Sequence, residues 1–314
     1  MSKVIEIKEL SKSFGEVKAV QGISFCVERG SLFAFLGVNG AGKSTTISMI
    51  CGQLKRDGGE IFIDGKTMHD DPEGIKRKLG VVYQGSVLDK PLTVKENLEY
   101  RGALYGIFGE ELENRIDELC RLLDMSDILR RPYGKLSGGQ RRKADIARAI
   151  IHKPRILILD EPTTGLDPQT RKKVWEVISY LQKNEELTVF LTTHYMEEAA
   201  DADRVVIIDK GTIVAEGTPI ELKNRFTGDF ITLYGKTEEE IAELELPYEV
   251  VPDGFRIKVD NTAEATKLIK EHSHLFTDYE ILKGKMDDVF LAATGRKLDN
   301  ETEEKGEKKG GRGR

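Results

Sequence analysis

The chain has 314 residues, of which 39% are hydrophobic and 32% charged, and 54 acidic against 48 basic residues leave a net charge of −6. This length and apolar share fit two domains with a sizeable core, whereas the acidic balance disfavours a protein that mainly coats nucleic acid. With three scattered cysteines, no signal-peptide core and no apolar run near the roughly 18–20 residues that cross a bilayer, we expect a cytoplasmic protein.

Short strands separated by turns are predicted over the first 65 residues. Residues 23–27 and 60–64 alternate apolar with small or polar side chains, as half-buried strands do. The run Leu32–Leu36 is apolar throughout, which is typical of a strand covered on both faces in a parallel sheet. Three similar runs follow between helical stretches, at 156–159, 189–191 and 205–208. The alternation predicts an α/β architecture with a parallel core sheet and an adjoining antiparallel sheet.

The middle of the chain, from about 89 to 152, is predicted to be mostly helical. Five apolar residues recur at helical spacing between 110 and 125, namely Leu112, Ile116, Leu119, Leu122 and Leu123. Because this block lies between two strand regions, we expect a helical subdomain at about 88–152 inside a first domain of residues 1–222.

The pattern changes after residue 219. Strands and helices are predicted in the order β-α-β-β-α-β over 229–282, which is the split βαβ, ferredoxin-like order of a small α+β domain at 228–297. A last helix is predicted over 286–294, with Gly295 as its C-cap. Residues 298–314 consist mainly of Glu, Lys, Gly and Arg, with almost no apolar side chains. Because such a segment cannot bury enough apolar surface to offset its ordering entropy, we expect a disordered charged tail.

Residues 37–45 carry the most specific motif. They read GVNGAGKST and match G-x-x-x-x-G-K-[ST] at every fixed position, between an apolar strand and a helix-compatible segment. Such a loop points successive backbone N–H groups into an anion-sized hollow, while Lys43 reaches phosphates and the Ser44 hydroxyl binds Mg²⁺. A glycine-rich turn without a ligand is disfavoured by this context. The predicted phosphate-binding residues are Gly37, Asn39, Gly40, Ala41, Gly42, Lys43, Ser44 and Thr45.

A second glycine pair stands where another helix is predicted to begin. Ser137 and Gln140 have the spacing of a capping box, and Gly138 and Gly139 between them leave backbone N–H groups bare for a phosphate. Taken locally, an ordinary capped helix explains the same residues equally well.

Polar side chains follow three of the predicted strands. Asp160 ends one strand and can hold Mg²⁺, while the adjacent Glu161, off the metal, can deprotonate an attacking water. Gln84 and His194 follow two others. In isolation, the acidic pair is explained by a solvated turn and the histidine by a structural role. His69, His152, His272 and His274 complete no metal site.

In chain order these segments resemble the ATP-binding-cassette (ABC) family over about residues 4–222. The Walker A loop is 37–45, the Q-loop glutamine is Gln84, and the signature LSGGQ is 136–140. Walker B is 156–160 followed by Glu161, the D-loop is 165–167, and the switch histidine is His194. Val38 departs from the proline common in the family, at a position that contributes backbone only.

The resemblance implies a role for each of these residues. His194 would contact the γ-phosphate and hold the attacking water, and Gln84 would touch Mg²⁺ or that water. Phe14 matches the aromatic that stacks on adenine, although a hairpin aromatic in a small core is the alternative. Asp167 lies in a loop that crosses to the opposing subunit. The signature of one subunit would close over ATP bound to the Walker A loop of the other.

Three further segments resemble the ATPases of daunorubicin-resistance-type exporters, which serve ABC-2-type membrane partners. They are AGKSTT at 41–46, TTHYMEEA at 192–199 and MDDVFL at 286–291. The resemblance implies an ATP- and Mg²⁺-dependent ATPase that works as a homodimer or with a paired ABC subunit. A separate ABC-2-type transmembrane permease would dock at about residues 84–135 and hold the chain at the inner face of the membrane.

A soluble ABC-type ATPase acting on ribosomes or DNA is the alternative function. Such proteins usually carry two cassettes, coiled-coil arms or zinc cysteines, none of which this sequence shows, and we expect no nucleic-acid partner. For the C-terminal domain two roles stay open, a ligand-sensing regulator or a module that stabilises a dimer.

Overall fold

The computed structural model describes residues 2–184 and 186–295, so the tail predicted at 298–314 lies outside the described residues. The chain forms two compact units, one ending at Glu221 and the other beginning at Leu222. Each unit is described by itself. Their equivalence to functional domains at 1–222 and 228–297 stays a prediction.

The first unit contains nine strands. They are β1 (Lys3–Phe14), β2 (Val17–Glu28), β3 (Leu32–Leu36), β4 (Gly58–Ile63), β5 (Leu79–Val82), β6 (Ile156–Asp160), β7 (Thr188–Thr193), β8 (Arg204–Asp209) and β9 (Thr212–Gly217). Its helices are α1 (Lys43–Ile50), α2 (Pro72–Lys78), α3 (Val94–Leu104), α4 (Gly109–Leu123), α5 (Gly138–Ile150) and α6 (Pro168–Asn184), and α7 (Pro219–Phe226) spans the boundary between the units.

The core sheet has the strand order β5-β6-β7-β3-β8-β9. Pairing is parallel from β5 to β8, and only the edge strand β9 runs antiparallel. Every residue of β3, β6 and β7 is buried, which explains why these strands lack alternation. Strands β2, β1 and β4 form a separate antiparallel sheet. The predicted parallel core and adjoining antiparallel sheet are confirmed.

The parallel arrangement decides where the polar residues meet. The loop 37–42 follows β3, Gln84 lies two residues after β5, Glu161 follows β6, and His194 follows β7. Because parallel strands point their carboxyl ends to the same edge, these four segments converge there, as ligand sites in α/β sheets do.

Helices α3, α4 and α5 occupy the block that was predicted to be helical. In α4 the apolar stripe Leu112, Ile116, Leu119 and Leu123 is buried, while Leu122 is half-buried. The helix ends at Leu123 rather than at the predicted 125, because Asp124 takes a left-handed conformation with φ 48°.

The second unit holds β10 (Asp229–Tyr234), α8 (Glu238–Ala242), β11 (Tyr248–Val251), β12 (Gly254–Val259), α9 (Thr262–Glu271), β13 (Tyr279–Lys283) and α10 (Met286–Thr294). Its sheet has the order β11-β12-β10-β13 with antiparallel neighbours throughout. Helix α8 is short and ends at Ala242, and Glu245 beyond it has a φ of 53°. Gly295 caps α10 in the left-handed conformation, as predicted.

The apolar cores of the two units are separate clusters. Phe25, Phe33, Phe35 and Phe190 stack in the first, with ring centroids 5.2 to 6.1 Å apart. The second is built from apolar residues such as Ile231, Leu233, Ile257 and Val259. Within the described ranges, no helix has the length and apolar character needed to span a bilayer.

Candidate nucleotide site

The loop between β3 and α1 has the backbone that its sequence requires. Gly42 has a φ of 110°, and a Cβ at this position would lie 2.5 Å from the carbonyl oxygen of Ala19. A Cβ on Gly37 would meet the Ile208 carbonyl oxygen at 2.6 Å. Only glycine fits at both positions. Helix α1 begins at Lys43 with no side chain capping its N–H groups, so these donors are available to an anion.

Lys43 lies over this loop and is only 4% exposed. Its ammonium donates to the carbonyl oxygens of Gly37 at 2.7 Å and Val38 at 3.2 Å. The same nitrogen lies 3.2 Å from Glu161 Oε1. The Lys43 ammonium, which the motif predicts to bind phosphate, is therefore buried at the loop and paired with the Glu161 carboxylate after β6.

Asp160 and Ser44 fit a divalent cation. The Ser44 hydroxyl donates to Asp160 Oδ1 at 3.3 Å, although 116 residues separate the two in sequence. Hydroxyl and carboxylate oxygens are hard ligands of the kind that Mg²⁺ prefers. Among the described residues no group of three or more His, Cys, Asp or Glu side chains could hold a metal by itself.

Glu161 is the centre of a polar cluster. Its Oε2 accepts from the Gln84 amide and from the Thr164 hydroxyl, both at 3.2 Å. The Nδ1 atom of His194 lies 3.2 Å from the same oxygen. Burial raises the pKa of Glu161, but the charge and hydrogen bond of Lys43, together with the nearby His194 ring, outweigh it and hold this pKa below its ordinary value. The carboxylate therefore stays ionised, as a general base must.

The signature turn has the predicted capping box. Ser137 N donates to Gln140 Oε1 at 3.1 Å, and Gln140 N donates to Ser137 Oγ at 3.4 Å. Ser137 and Gly138 are exposed. In residues 2–184 and 186–295, no hydrogen bond joins this turn to the phosphate loop of the same chain. The signature turn at 137–140 is therefore not part of the polar cluster around Glu161.

Two further predicted residues are exposed. Asp167 caps α6 by accepting from Thr170 N at 3.0 Å, and the hydrogen bonds from Thr170 lower the pKa of Asp167. Phe14 ends β1 with half of its surface exposed, and the Lys12 ammonium lies 5.5 Å from the ring centroid. The alternative that Phe14 belongs to a small core is wrong, whereas adenine stacking stays a prediction.

Two residues of the site were missed by sequence reasoning. The Thr192 hydroxyl donates to Asp160 Oδ1 at 2.7 Å and accepts from Glu161 N at 3.2 Å. Arg142, in the first turns of α5, donates to the carbonyl oxygens of Tyr83 and Glu161. Thr192 begins the exporter-like segment 192–199, but nothing in that pattern assigned it a role of its own, and Arg142 lies in an ordinary basic run.

Comparisons with known proteins agree with this geometry. The profile of the family described as "ABC transporter" matches residues 20–164. The linearmycin resistance ATP-binding protein LnrL of Bacillus subtilis is 35% identical over 310 residues, which cover 94% of this chain and 99% of that protein. The daunorubicin resistance ATP-binding protein DrrA2 of Streptomyces coeruleorubidus is 34% identical, covering 94% and 96%. A Nod factor export ATP-binding protein I of Ralstonia nicotianae is also 34% identical, covering 94% and 95%.

Solved structures show the same fold. The protein cbiO1 of Clostridium perfringens, part of the ABC transporter complex cbiONQ, superposes with a TM-score of 0.65 at 28% identity over 71% of this chain and 91% of that one. The dimeric ATP-binding cassette MJ0796, bound to ADP and Pi after hydrolysis, gives 0.63 at 28% identity over 68% and 98%. The chain therefore belongs to the ABC transporter family as an ATP-binding subunit and is an ABC ATPase.

Proposed function

We propose that this ATPase drives export through a separate membrane-spanning permease, from the inner face of the membrane. The observation that carries the hydrolytic part is the Glu161 carboxylate, ionised and surrounded by Lys43, Gln84 and His194. Export is supported by relatives that are named for drug resistance and for Nod factor export and that match nearly the full chain. An ABC-2-type permease is the partner that this similarity favours.

The side chains at the sheet edge divide the work of hydrolysis. Lys43 would pair with the β and γ phosphates, and Glu161 would accept a proton from the attacking water. His194 and Gln84, now at Glu161 Oε2, orient that water. Ser44 and Asp160 would hold Mg²⁺, with Gln84 as a further ligand, and the ion would neutralise phosphate charge.

ATP is proposed to bind between two copies of the chain. The exposed signature turn and the exposed Asp167 support this arrangement, because neither shares a hydrogen bond with the phosphate loop in the part of the chain that is described. Backbone donors at 137–140 of one copy would meet the γ-phosphate held by the other. The adenine would stack on Phe14, which is available at the surface.

Subunit mixing tests the shared site. Gly138→Glu places a carboxylate beside the incoming phosphate, and Lys43→Ala removes the phosphate cation, so each homodimer should be inactive. In a mixed dimer one site keeps both an intact loop and an intact signature, and ATPase activity should return. Gly138→Ala is the matched control, because a Cβ there meets only Leu166 at 3.6 Å. A mixture that stays inactive, although mixed dimers form, contradicts the shared site.

The membrane partner is proposed to dock on the helical block, within residues 84–135. A cavity of about 460 Å³ opens there, with Tyr105, Ile107, Asn114 and Arg115 among its lining residues. Leu104 and Phe108 beside it are 74% and 62% exposed. An exposed apolar patch of this kind is typical of a protein interface. An apolar helix end of the permease is the occupant that these side chains suit.

Capture from membranes tests the partner. The variant Glu161→Gln should retain ATP and hold the assembly together, so a membrane protein should co-purify with it in detergent. Adding Leu104→Asp and Phe108→Asp should abolish this capture while leaving ATP binding unchanged. Co-sedimentation with ribosomes or DNA, in place of a membrane protein, would favour the soluble alternative and contradict transport.

For the second unit we propose a ferredoxin-like accessory domain at 228–297. The antiparallel strand order β11-β12-β10-β13, with one helix between β10 and β11 and one between β12 and β13, supports this assignment. Deleting residues 228–314 discriminates the two open roles. Loss of ATP-dependent dimerisation indicates a dimer-stabilising module, whereas an intact dimer with altered ATPase activity indicates a regulator.

A further inference from the structure

A buried arginine connects the signature helix to the residue that activates water. Arg142 is only 6% exposed, and both of its terminal nitrogens are used. Nη1 donates to the carbonyl oxygen of Tyr83 at 2.9 Å, and Nη2 donates to that of Glu161 at 3.3 Å. One rigid guanidinium thus bridges the residue before Gln84 and the proposed base itself.

The backbone of Glu161 needs such support. Its φ is 47°, in the left-handed region that a non-glycine residue adopts only when its surroundings hold it there. Glu161 N donates to Thr192 O at 3.1 Å and to Thr192 Oγ1 at 3.2 Å. On the carbonyl side, Glu161 O accepts from Arg142 Nη2 at 3.3 Å and from Thr164 N at 3.4 Å, and within residues 2–184 and 186–295 the guanidinium is the one side chain that bonds to it. The guanidinium is therefore the principal side-chain hold on that side of the peptide.

Helix α5 is also fastened to the Q-loop on both sides of Gln84. The Arg148 guanidinium donates to the carbonyl oxygen of Val81, and the Ser86 hydroxyl donates to Asp145 Oδ1 at 2.7 Å. With Arg142 these contacts attach one helix to residues 81, 83 and 86. A displacement of the signature helix is thereby transmitted to the strand end that carries Gln84.

We infer that Arg142 is a positioning residue for ATP hydrolysis, which aligns Glu161 and Gln84 when the signature at the start of α5 engages ATP. The inference rests on the proposed role of Glu161 as general base. The guanidinium acts through the carbonyl oxygens of Tyr83 and Glu161, on which the orientation of both side chains depends. Losing it should slow the chemical step and leave the binding of ATP unchanged.

The kinetic split between kcat and KM tests this inference. In Arg142→Lys the flexible ammonium cannot replace the planar fork, and Arg142→Met removes both donors while keeping most of the apolar stem. We expect kcat for Mg²⁺-dependent ATP hydrolysis to fall about 10- to 100-fold, more in the Met variant than in the Lys variant. KM and the affinity for a fluorescent ATP analogue should change by less than about twofold.

Two comparisons make the outcome decisive. Lys143→Gln removes a neighbouring charge on the same helix that pairs with Asp124, and it should keep the wild-type kcat.

Glu161→Gln, measured in parallel, should abolish turnover. If it does not, the assignment of Glu161 as general base fails, and the inference about Arg142 fails with it. If Glu161→Gln is inactive while Arg142→Lys retains full kcat, only the inference is overturned. The inference is also overturned if the fall in kcat comes with an equal rise in KM and a lower unfolding midpoint. If Arg142→Met does not fold, the kinetics of Arg142→Lys decide the test.

Discussion

At the residue scale, most polar contacts of the candidate site are made by one carboxylate, that of Glu161. Glu161 meets an ammonium, an amide, a hydroxyl and an imidazole within 3.2 Å of its two oxygens. In a buried place, charge survives only when it is paired and hydrogen-bonded, and these contacts do both. The side chains that would act on water are thus held together around one carboxylate.

Thr192 should set the hydrolysis rate through its neighbours. Thr192→Val keeps the shape of the side chain but removes the bonds to Asp160 Oδ1 and Glu161 N. We expect kcat to fall about tenfold, because the Asp160 carboxylate and the Glu161 backbone N–H each lose a partner that orients them. ATPase assays with purified protein measure this. Thr188→Val is the matched control at the other end of β7, where the hydroxyl accepts from Gly30 N. An equal loss of kcat in both variants would show a general effect of destabilising the strand.

His152 should make stability depend on pH. Burial lowers its pKa to about 4, while the neutral ring stacks on Tyr105 and shares a 3.1 Å hydrogen bond with the Leu79 carbonyl. As the pH falls from 6.5 toward 4, the unfolded chain binds a proton that the folded chain does not, so stability falls. Between pH 6.5 and pH 5 the loss should reach about 2 kcal/mol, at about 1.4 kcal/mol per pH unit.

Denaturant unfolding at pH 7 and pH 5, followed by Trp175 fluorescence, measures this loss. In His152→Phe the stacking is kept but the titrating group is gone, so the difference between the two pH values should shrink. The exposed His69, replaced by glutamine, serves as the control and should leave the difference as in wild type. An unchanged pH dependence in His152→Phe would refute the assignment.

At the scale of elements, the starts and ends of helices follow local chemistry. Capping boxes begin α3 at Thr93, α5 at Ser137 and α8 at Thr237. Helix α1 has no side-chain cap, which is also true of α4, but α1 directly follows the glycine-rich loop that would hold phosphate. Uncapped N–H donors at the end of such a loop are suited to an anion, and this combination marks the candidate site.

The C-terminus of α4 offers a stabilising substitution. Asp124 has a φ of 48°, and its side chain is 94% exposed beside Lys143. Asp124→Gly should raise the free energy of unfolding by about 1 kcal/mol, because glycine adopts this conformation without strain and the exposed ion pair contributes little.

Asp124→Ala is the matched control for this substitution. Both variants remove the carboxylate, but only alanine keeps a Cβ in the left-handed conformation. Denaturant unfolding should therefore rank the glycine variant as the more stable of the two. Equal stabilities would mean that the backbone conformation at the end of α4 contributes nothing.

At the scale of the whole molecule, two separate apolar cores predict two unfolding transitions. Ile158 lies fully buried in the core sheet, and Ile257 is fully buried in the second unit. Each truncation to alanine should cost about 2–5 kcal/mol in its own unit. Ile158→Ala should lower the midpoint of the unfolding transition that Trp175 fluorescence reports. Ile257→Ala should leave that midpoint unchanged and lower the midpoint of a second transition, which calorimetry detects but fluorescence does not. A single transition that moves equally in both variants contradicts independent cores.

Local sequence patterns were enough to predict most strands and helices and to single out the candidate site residues. Apolar runs without alternation predicted the buried parallel strands, glycine spacing predicted the phosphate loop, and Ser137 with Gln140 predicted the start of α5. These features depend on residues close together in the chain, where periodicity and turn chemistry operate. The end of α4 was predicted two residues late, because the left-handed conformation of Asp124 has no strong sequence signal.

Only the tertiary structure decided what surrounds the reactive groups. Thr192 meets Asp160 across 32 residues, Arg142 meets Tyr83 across 59, and Gln84 meets Glu161 across 77. Each of these contacts exists because parallel strands bring distant loops to one edge of the sheet and α5 packs beside them. A threonine in a buried strand and an arginine in a basic run have no periodicity that predicts a partner so far along the chain, so their roles emerge only when the sheet is assembled.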